Sequence, residues 1–429
     1  MDPNVQATVL AKYSRSPESA KELLKELSLD NAQKFQEKWV VNYGHNSVAE
    51  LASIPICLEG ISIIASKFVE RWQRAGYSEK STRYQRFSID SFIIPPGAPP
   101  EIKEIVSPLY ETYQRLYPLV WRECAIKMNK DPDDPLSQTD KTINARTFDN
   151  IRYLLPAGTG TNVACVMNIR DLRDLIISLK SHTNSEFNQL GKQITEAASA
   201  LVPSLLKHME PSFFRQEIKN LGMLSDSFEV NQPYVGFYRP LHENIEQEIA
   251  SFIAKISDWY YLDFDSFDNF MKTRSEYEEV PDLFKSIKMS LEIIMDYGAF
   301  RDLQRHRRCE QYVEPLSTHY GYIIPDDLIG TNLEEDYVET MDYIKNNEHE
   351  IVYQSDYNQY IIPLGFLHRS VFQLDLKELY YIVELRTKPQ GHISYRRIAY
   401  EMFKLAHTKY NPLTKWCRVI QPEVIGIHK

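Results

Sequence analysis

The sequence predicts an α+β fold built as two tandem repeats, each a small sheet packed with long helices. Three observations carry this. A chain of 429 residues suits two units of roughly 200 residues, each with its own core. Glycine is scarce, at 15 residues, while Leu, Ile, Glu and Lys are plentiful, which favours helix over a turn-rich all-β fold. Most directly, Tyr153-Leu154-Leu155-Pro156-Ala157-Gly158 is echoed by Tyr360-Ile361-Ile362-Pro363-Leu364-Gly365.

In the first repeat, residues 1–225, the string Gly44-His45-Asn46-Ser47-Val48-Ala49-Glu50 marks a helix start. Ser47 is placed to cap it and Glu50, three residues on, to close a capping box. Apolar spacing predicts a helix over 58–74 that ends in arginine. The stretch from Tyr77 to Tyr84 reads as extended, so that Glu79, Ser81 and Arg83 alternate onto one side. The proline-rich segment 93–100 and the charged segment 130–135 bracket a helix over 101–128, an inserted helical excursion at about 100–135. Arg152 precedes the first copy of the echo, an apolar strand-like pair closed by a proline turn. The apolar run 163–167 is a buried strand leading into Asn168-Ile169-Arg170, and a helical segment carries Leu179-Lys180. A helix over 186–209 closes the repeat, with a boundary near 221–231.

The second repeat, 226–429, follows the same order. A helix runs from Pro281-Asp282 through Ile287, Leu291 and Ile294 at helical spacing to Arg308. The charge-rich 332–350 reads as a solvated helix or loop. The second strand-like pair follows, and then an apolar helix over 379–385 that delivers Arg386. From Arg71 to Tyr153 is 82 positions and from Arg305 to Tyr360 is 55, so the first half carries the longer middle.

Composition narrows the function classes. A net charge of -10 argues against non-specific nucleic-acid binding, which needs a surplus of Lys and Arg, but leaves a local anion site open. The five cysteines show no paired or metal-like spacing, which suits a reducing compartment and predicts no metal site. The start, Met1-Asp2-Pro3-Asn4, has no signal-peptide character and no apolar run approaches a membrane span, so a soluble cytoplasmic protein without a membrane partner is expected. The 27 tyrosines suit stacking surfaces and interfaces, or equally the edges of cores.

Several constellations suit chemistry, each beside a plainer alternative. Glu79, Ser81 and Arg83 offer an acceptor, a hydroxyl and a bidentate anion donor, a set fit for a pyrimidine nucleotide or for a solvated strand edge. Arg305-His306-Arg307-Arg308 puts cations at a helix C-terminus, favourable against its dipole, and three of them can surround a phosphate or a flavin edge. Arg152 and Arg386 are anion donors or surface arginines. Asn168 and Arg170 end a buried strand, where a ligand or a cap is met. Cys309 adjoins the basic cluster but has no partners to make it a nucleophile, so it reads as packing.

Taken together, Gly44 to Glu50, Arg305-His306-Arg307 and the Glu79-x-Ser81-x-Arg83 string resemble motifs of the flavin-dependent thymidylate synthases. In that family the Arg-His-Arg and Glu-x-Ser-x-Arg pieces form one continuous signature, and the active site lies between subunits of a homotetramer. The resemblance covers both halves in order and implies two diverged copies of that fold. The first half keeps Glu79, Lys80, Ser81, Arg83 and Arg152 on the nucleotide side, and His45, Ser47, Glu50, Asn168 and Arg170 among flavin positions. It reads Arg71-Trp72-Gln73 for Arg-His-Arg, and Lys180 for the later arginine. The second half keeps Arg305, His306, Arg307 and Arg386. Val313, Pro315 and Ser317 stand at its Glu-x-Ser-x-Arg places, Gln359 replaces the arginine before the turn, and Glu279 the histidine.

These losses are complementary, so one composite site is expected, joining first-half Glu79, Ser81, Arg83 and Arg152 to second-half Arg305 and Arg386. The resemblance implies reductive methylation of deoxyuridylate to thymidylate, with FAD as cofactor and NADPH and methylenetetrahydrofolate as co-substrates. Arg386, Arg83 and His45 are the expected catalytic residues; Arg305, His306 and Arg307 join the flavin set. The fused chain is expected to pair with itself as a homodimer imitating the tetramer. The alternatives are a related flavoenzyme acting on a pyrimidine nucleotide, for example by hydroxymethylation, or an inactive nucleotide-binding homologue.

Overall fold

The computed structural model describes residues 2–36, 46–220, 232–238, 244–347 and 357–422. In the first half, strand β1 (Ser53–Ser62) runs directly into helix α1 (Ile63–Val69), and β2 (Ala75–Glu79) follows. Two helices come next, α2 (Ile102–Lys127) and α3 (Lys141–Ile151), and then β3 (Gly160–Asn168), α4 (Ile169–Lys180) and α5 (Ser185–Ser199). The sheet is antiparallel in the order β1-β3-β2. In the second half β4 (Tyr234–Phe237), β5 (Lys288–Asp296) and α6 (Tyr297–Leu303) precede β6 (Glu310–Val313). Helix α7 (Glu334–Asn347), β7 (Leu367–Asp375), α8 (Leu376–Arg386) and α9 (Ile393–Thr414) complete it. Its sheet order is β4-β5-β7-β6.

The strand registers show the repeat residue by residue. Glu79 pairs with Val163 in the first sheet, as Val313 pairs with Ser370 in the second. Ser53 lies opposite Asn168, as Lys288 lies opposite Asp375. A register shift between Leu58 and Ile61 of β1 changes the offset between the two strands by one residue. His45 lies outside the described residues, as does the expected boundary at 221–231.

The two echo strings meet each other. The N–H of Ala157 donates to Ile362 O at 2.8 Å, and that of Leu364 to Leu155 O at 2.9 Å. The N–H of Gly158 donates to Tyr360 O at 2.8 Å, and that of Gly365 to Tyr153 O at 3.0 Å. Each bond has its mirror, as at a twofold interface between identical subunits. Glycine is required here, because a Cβ on Gly158 would stand 2.9 Å from Tyr360 O and 2.5 Å from the Phe92 ring.

Several expected elements are corrected. Neither the 58–74 segment nor the 281–308 segment is one long helix; each is a strand followed by a short helix. Ser62 and Asp296 break them, their side chains capping the N–H groups of Ala65 and Ala299. In β5, Leu291, Ile293, Ile294 and Met295 are all buried, and a continuous apolar run on a doubly covered strand imitates helical spacing. The pairs at Tyr153 and Tyr360 are helical turns, Arg152–Leu154 and Asn358–Ile361, before the proline. The helix begun at Ser185 stops at Ser199 rather than at 209. Segment 332–350 is not simply solvated, since α7 buries Tyr337, Thr340, Met341 and Ile344.

That buried face explains the insertion. Val106, Leu109, Tyr113, Leu116 and Val120 of α2 recur at helical spacing and are almost wholly buried, each contributing about 1.5–3 kcal/mol. Helix α2 holds the same place in the first half as α7 in the second, and the two touch: Thr112 and Thr340 hydroxyls lie 2.9 Å apart and Arg115 pairs with Asp336. The longer middle is therefore an enlarged counterpart of α7, and one core runs through both halves. Among the described residues no helix is long and apolar enough to cross a membrane.

Candidate nucleotide site between the halves

A cavity of about 410 Å³ opens where the end of β2 faces the ends of α6 and α8. It is walled by first-half Glu79, Lys80, Ser81, Arg83 and Arg152 and by second-half Arg305, His306, Arg307 and Arg386. The fold creates this meeting because α1 and α6 are related by the repeat and a bond joins them: Gln304, at the end of α6, donates to Lys67 O of α1 at 2.7 Å. Beside it, Arg307 donates to Ala75 O at 3.2 Å and Gln73 to Glu310 at 3.1 Å.

Strand β2 ends at Glu79, so the expected alternation of Glu79, Ser81 and Arg83 along an extended segment does not occur. Residues 81–85 form a turn in which Ser81 Oγ accepts from the Arg83 N–H at 3.2 Å and the Gln85 amide donates to Ser81 O at 3.1 Å. The turn, rather than the pleat, brings the three side chains to one cavity.

Glu79 anchors the floor. Its carboxylate accepts from Ser66 Oγ at 2.8 Å and pairs with Lys67 at 2.8 Å and Arg301 at 3.1 Å. Burial alone would raise its pKa; Arg301 and Lys67 overcome burial and hold it low. Arg301 also donates to Thr82 Oγ1 at 3.3 Å. Arg83 donates to Asp149 at 2.7 Å, and burial pushes the Asp149 carboxyl up.

The cations dominate: seven Lys and Arg side chains line the cavity against three carboxylates. Arg152 is only 4% exposed, yet its Nε and Nη2 have no hydrogen-bond partner among the described residues, and the same is true of Arg83 Nε and Arg307 Nε. Buried guanidinium N–H groups without acceptors are costly, so this cavity is built to receive one. Arg386 Nε donates to His306 Nε2 at 2.7 Å. Burial, with Arg386, Arg305 and Arg307 adding to it, pushes the His306 pKa down to about 3.

The described members of the first-half flavin set, Ser47, Glu50, Asn168 and Arg170, lie elsewhere. Ser47 sits inside the turn Asn46–Leu51 rather than before it, so it does not cap that turn. Glu50 is not a box partner; it accepts from Arg74 at 2.8 Å and Arg170 at 2.6 Å. Asn168 caps α4 and its amide donates to Asp171 at 2.8 Å. None of these four lines the cavity. Sequence reading missed Lys67 and Arg301, which hold Glu79, and Asp149, which holds Arg83. A signal existed for two of them: Arg301, on α6, is four residues before Arg305, and Asp149 is three before Arg152, each about one helical turn away.

A family model described as thymidylate synthase complementing protein matches residues 1–204 and 266–410. A UPF0159 protein of Chlamydia pneumoniae is 27% identical, covering 95% of this chain and 88% of the relative. A flavin-dependent thymidylate synthase of Clostridium tetani is 25% identical over 49% of this chain and 84% of its own length. One from Saccharolobus solfataricus is 28% identical over 52% and 80%. Among solved structures, a flavin-dependent thymidylate synthase of Helicobacter pylori complexed with FAD and dUMP aligns with a TM-score of 0.35 at 16% identity, over 48% of this chain and 95% of that one.

Proposed function

The chain belongs to the thymidylate synthase complementing protein family, and from that premise we propose that the cavity between its halves binds deoxyuridylate for FAD-dependent reductive methylation to thymidylate. Methylenetetrahydrofolate is the carbon donor in this reading and NADPH the reductant. The observation that supports it most is Arg152, a buried guanidinium with unpartnered N–H groups in a cavity rich in arginine. A nucleotide phosphate supplies the acceptors that the protein withholds, and Arg83, Arg305 and Arg386 stand in the same wall. For the uracil ring to attack an electrophilic carbon, negative charge must first build on the ring, and fixed cations in a half-enclosed site stabilise it without reorganising.

The ring is activated without a thiol in this reading. Cys309, the cysteine nearest the cluster in sequence, donates to His306 O at 2.9 Å, and burial pushes its pKa up to about 12. FAD, when bound and reduced by NADPH, would supply the hydride. On its side Arg305 and Arg307 fit: Arg305 is 60% exposed with one long contact of 3.9 Å to Asp302, and Arg307 Nε is buried and unpartnered. Glu50, Asn168 and Arg170 fit less well, because their polar groups are already paired with one another and with Arg74 and Asp171. Residues 1–225 and 226–429 are the two repeats in this proposal, and a homodimer is the assembly.

The test is purification followed by spectroscopy, dUMP titration and a thymidylate assay with all co-substrates. A yellow protein that binds dUMP and forms thymidylate is the expected result. A colourless protein that ignores added FAD but binds dUMP would leave a nucleotide-binding homologue, and one that binds neither would overturn the proposal entirely.

A further inference from the structure

We propose that Glu378 is a positioning residue of the nucleotide site: in its ionised form it accepts the Nδ1 proton of His306 and so fixes the imidazole tautomer whose Nε2 holds Arg386. This rests on the reading that Arg386 binds the nucleotide. Arginine Nε always carries a proton, so His306 Nε2, which receives it at 2.7 Å, must present its lone pair. A neutral imidazole with a free Nε2 carries its proton on Nδ1. That nitrogen is buried without a hydrogen-bond partner among the described residues, and the Glu378 carboxylate stands just beyond hydrogen-bond distance of it, with Oε1 at 3.7 Å.

Both side chains are only 2% exposed, so the pair is sealed from solvent. Glu378 stands in the first turn of α8 and Arg386 at its last residue, with His306, just beyond α6, against both. The surrounding charges are few and identifiable. Arg308 Nε lies 3.4 Å from the second Glu378 oxygen, while Asp375 and Glu279 act against its ionisation. Arg386, Arg305, Arg307 and Asp302 act on His306, and the Tyr381 ring stands edge-on to it at 5.5 Å.

Burial is the main force on Glu378 and pushes its pKa up to about 7, where a carboxyl exchanges its proton near neutrality. Ionised, it accepts from Nδ1–H and the Arg386 bond is compatible. Protonated, its O–H donates to Nδ1, which moves the ring proton to Nε2 and removes the acceptor that Arg386 needs. Nucleotide affinity through Arg386 should therefore rise as pH rises through about 7.

The repeat supplies an internal comparison. In the first half Asp171 stands at the place of Glu378 and pairs with Arg74, the counterpart of Arg308, at 2.6 Å. Trp72 replaces His306 there and donates instead to Asp174 at 3.1 Å, and buried Leu179 stands at the place of Arg386. The His–Glu arrangement thus accompanies only the half that keeps the later arginine.

The experiment uses the full chain, uniformly labelled with 15N-histidine, and dUMP titrated by calorimetry between pH 6 and 8.5. In the wild type the His306 resonances should report Nδ1–H with a bare Nε2 at pH 8 and redistribute below pH 7. The ratio of wild-type to Glu378→Gln affinity should rise about tenfold across the range, the value of one charge-assisted bond. The phosphate's own titration near pH 6 cancels in that ratio. Equal melting temperatures of the two proteins would show that folding is not the cause. A proton on Nε2 at pH 8, or a ratio that does not change with pH, overturns the proposal. If dUMP binds neither protein, the nucleotide reading fails, and the tautomer measurement still decides the role of Glu378.

Discussion

The carboxylate of Glu79 meets the guanidinium of Arg301 at 3.1 Å across the two halves of the chain, and Lys67, which holds in the first half the place of Arg301 in the second, meets it at 2.8 Å. The repeat thus aims two equivalent cations at one acid. The second half has Val313 where Glu79 stands, so the reciprocal arrangement has no acid to receive them. A single carboxylate ties both halves to the site.

This arrangement has a pH signature. Because the folded-state pKa of Glu79 is depressed, its ionisation stabilises the fold above the ordinary carboxylate range and that contribution is lost as pH falls through the depressed value. Glu79→Gln should lower stability at pH 7 by about 3–5 kcal/mol, the cost of leaving buried charges unpaired, and should flatten the acid limb of the stability curve. Chemical denaturation between pH 3 and 7 checks this; an unchanged acid limb would show that other carboxylates carry it.

The composite site predicts an asymmetry between equivalent positions. Arg83→Ala and Arg386→Ala should each weaken dUMP binding by about tenfold to a hundredfold, the range for a lost charge-assisted bond. Lys180→Ala, at the position that the Leu-basic motif alone sets against Arg386, should change it by less than about twofold. Calorimetric titration of the three variants decides the matter. Comparable losses for Lys180 and Arg386 would mean that the reciprocal site is also used.

How far the sequence discloses all this depends on what kind of information each feature carries. That residues of both halves line one cavity was legible, because Glu79, Arg83, Arg152, Arg305 and Arg386 are side-chain identities at fixed order, and order survives folding. The strand at 288–296 was not, because burial on both faces fills it with apolar residues that fit helical spacing as well, with no period-two alternation to mark a strand. The role of α2 was half legible: its helix was plain, but its partnership with α7 is a tertiary fact that charge-rich sequence conceals. Ser47 and Glu50 fit a capping box by spacing alone, and Arg74 and Arg170 compete successfully for Glu50.

A buried tyrosine reports on the pairing of the halves. Tyr360 of the second half donates to Glu186 of the first at 2.5 Å, and the same carboxylate receives Ser62 N–H at 2.8 Å and Oγ at 2.6 Å. Tyr360→Phe keeps the ring and removes one donor from a buried acid, so it should cost about 1–3 kcal/mol. Thermal unfolding should show a lower melting temperature in a single transition. Two separate transitions in the variant would mean that the halves hold together through this bond more than through their shared core.

The cysteines test whether a thiol can take part in the chemistry. Burial raises Cys309 to about 12 and Cys124 likewise to about 12, so neither carries appreciable thiolate at neutral pH. Cys57 is exposed. In native protein at pH 7.5 an alkylating reagent should therefore modify Cys57 well ahead of Cys309 and Cys124, as mapped by peptide mass spectrometry. Cys309→Ser should alter nucleotide binding by less than about twofold if the sulfur serves only to pack and to bond His306 O. Rapid, dUMP-protected alkylation of Cys309 would contradict this. It would place a reactive thiol at the arginine cluster and require a covalent route through sulfur, which the buried, hydrogen-bonded thiol argues against.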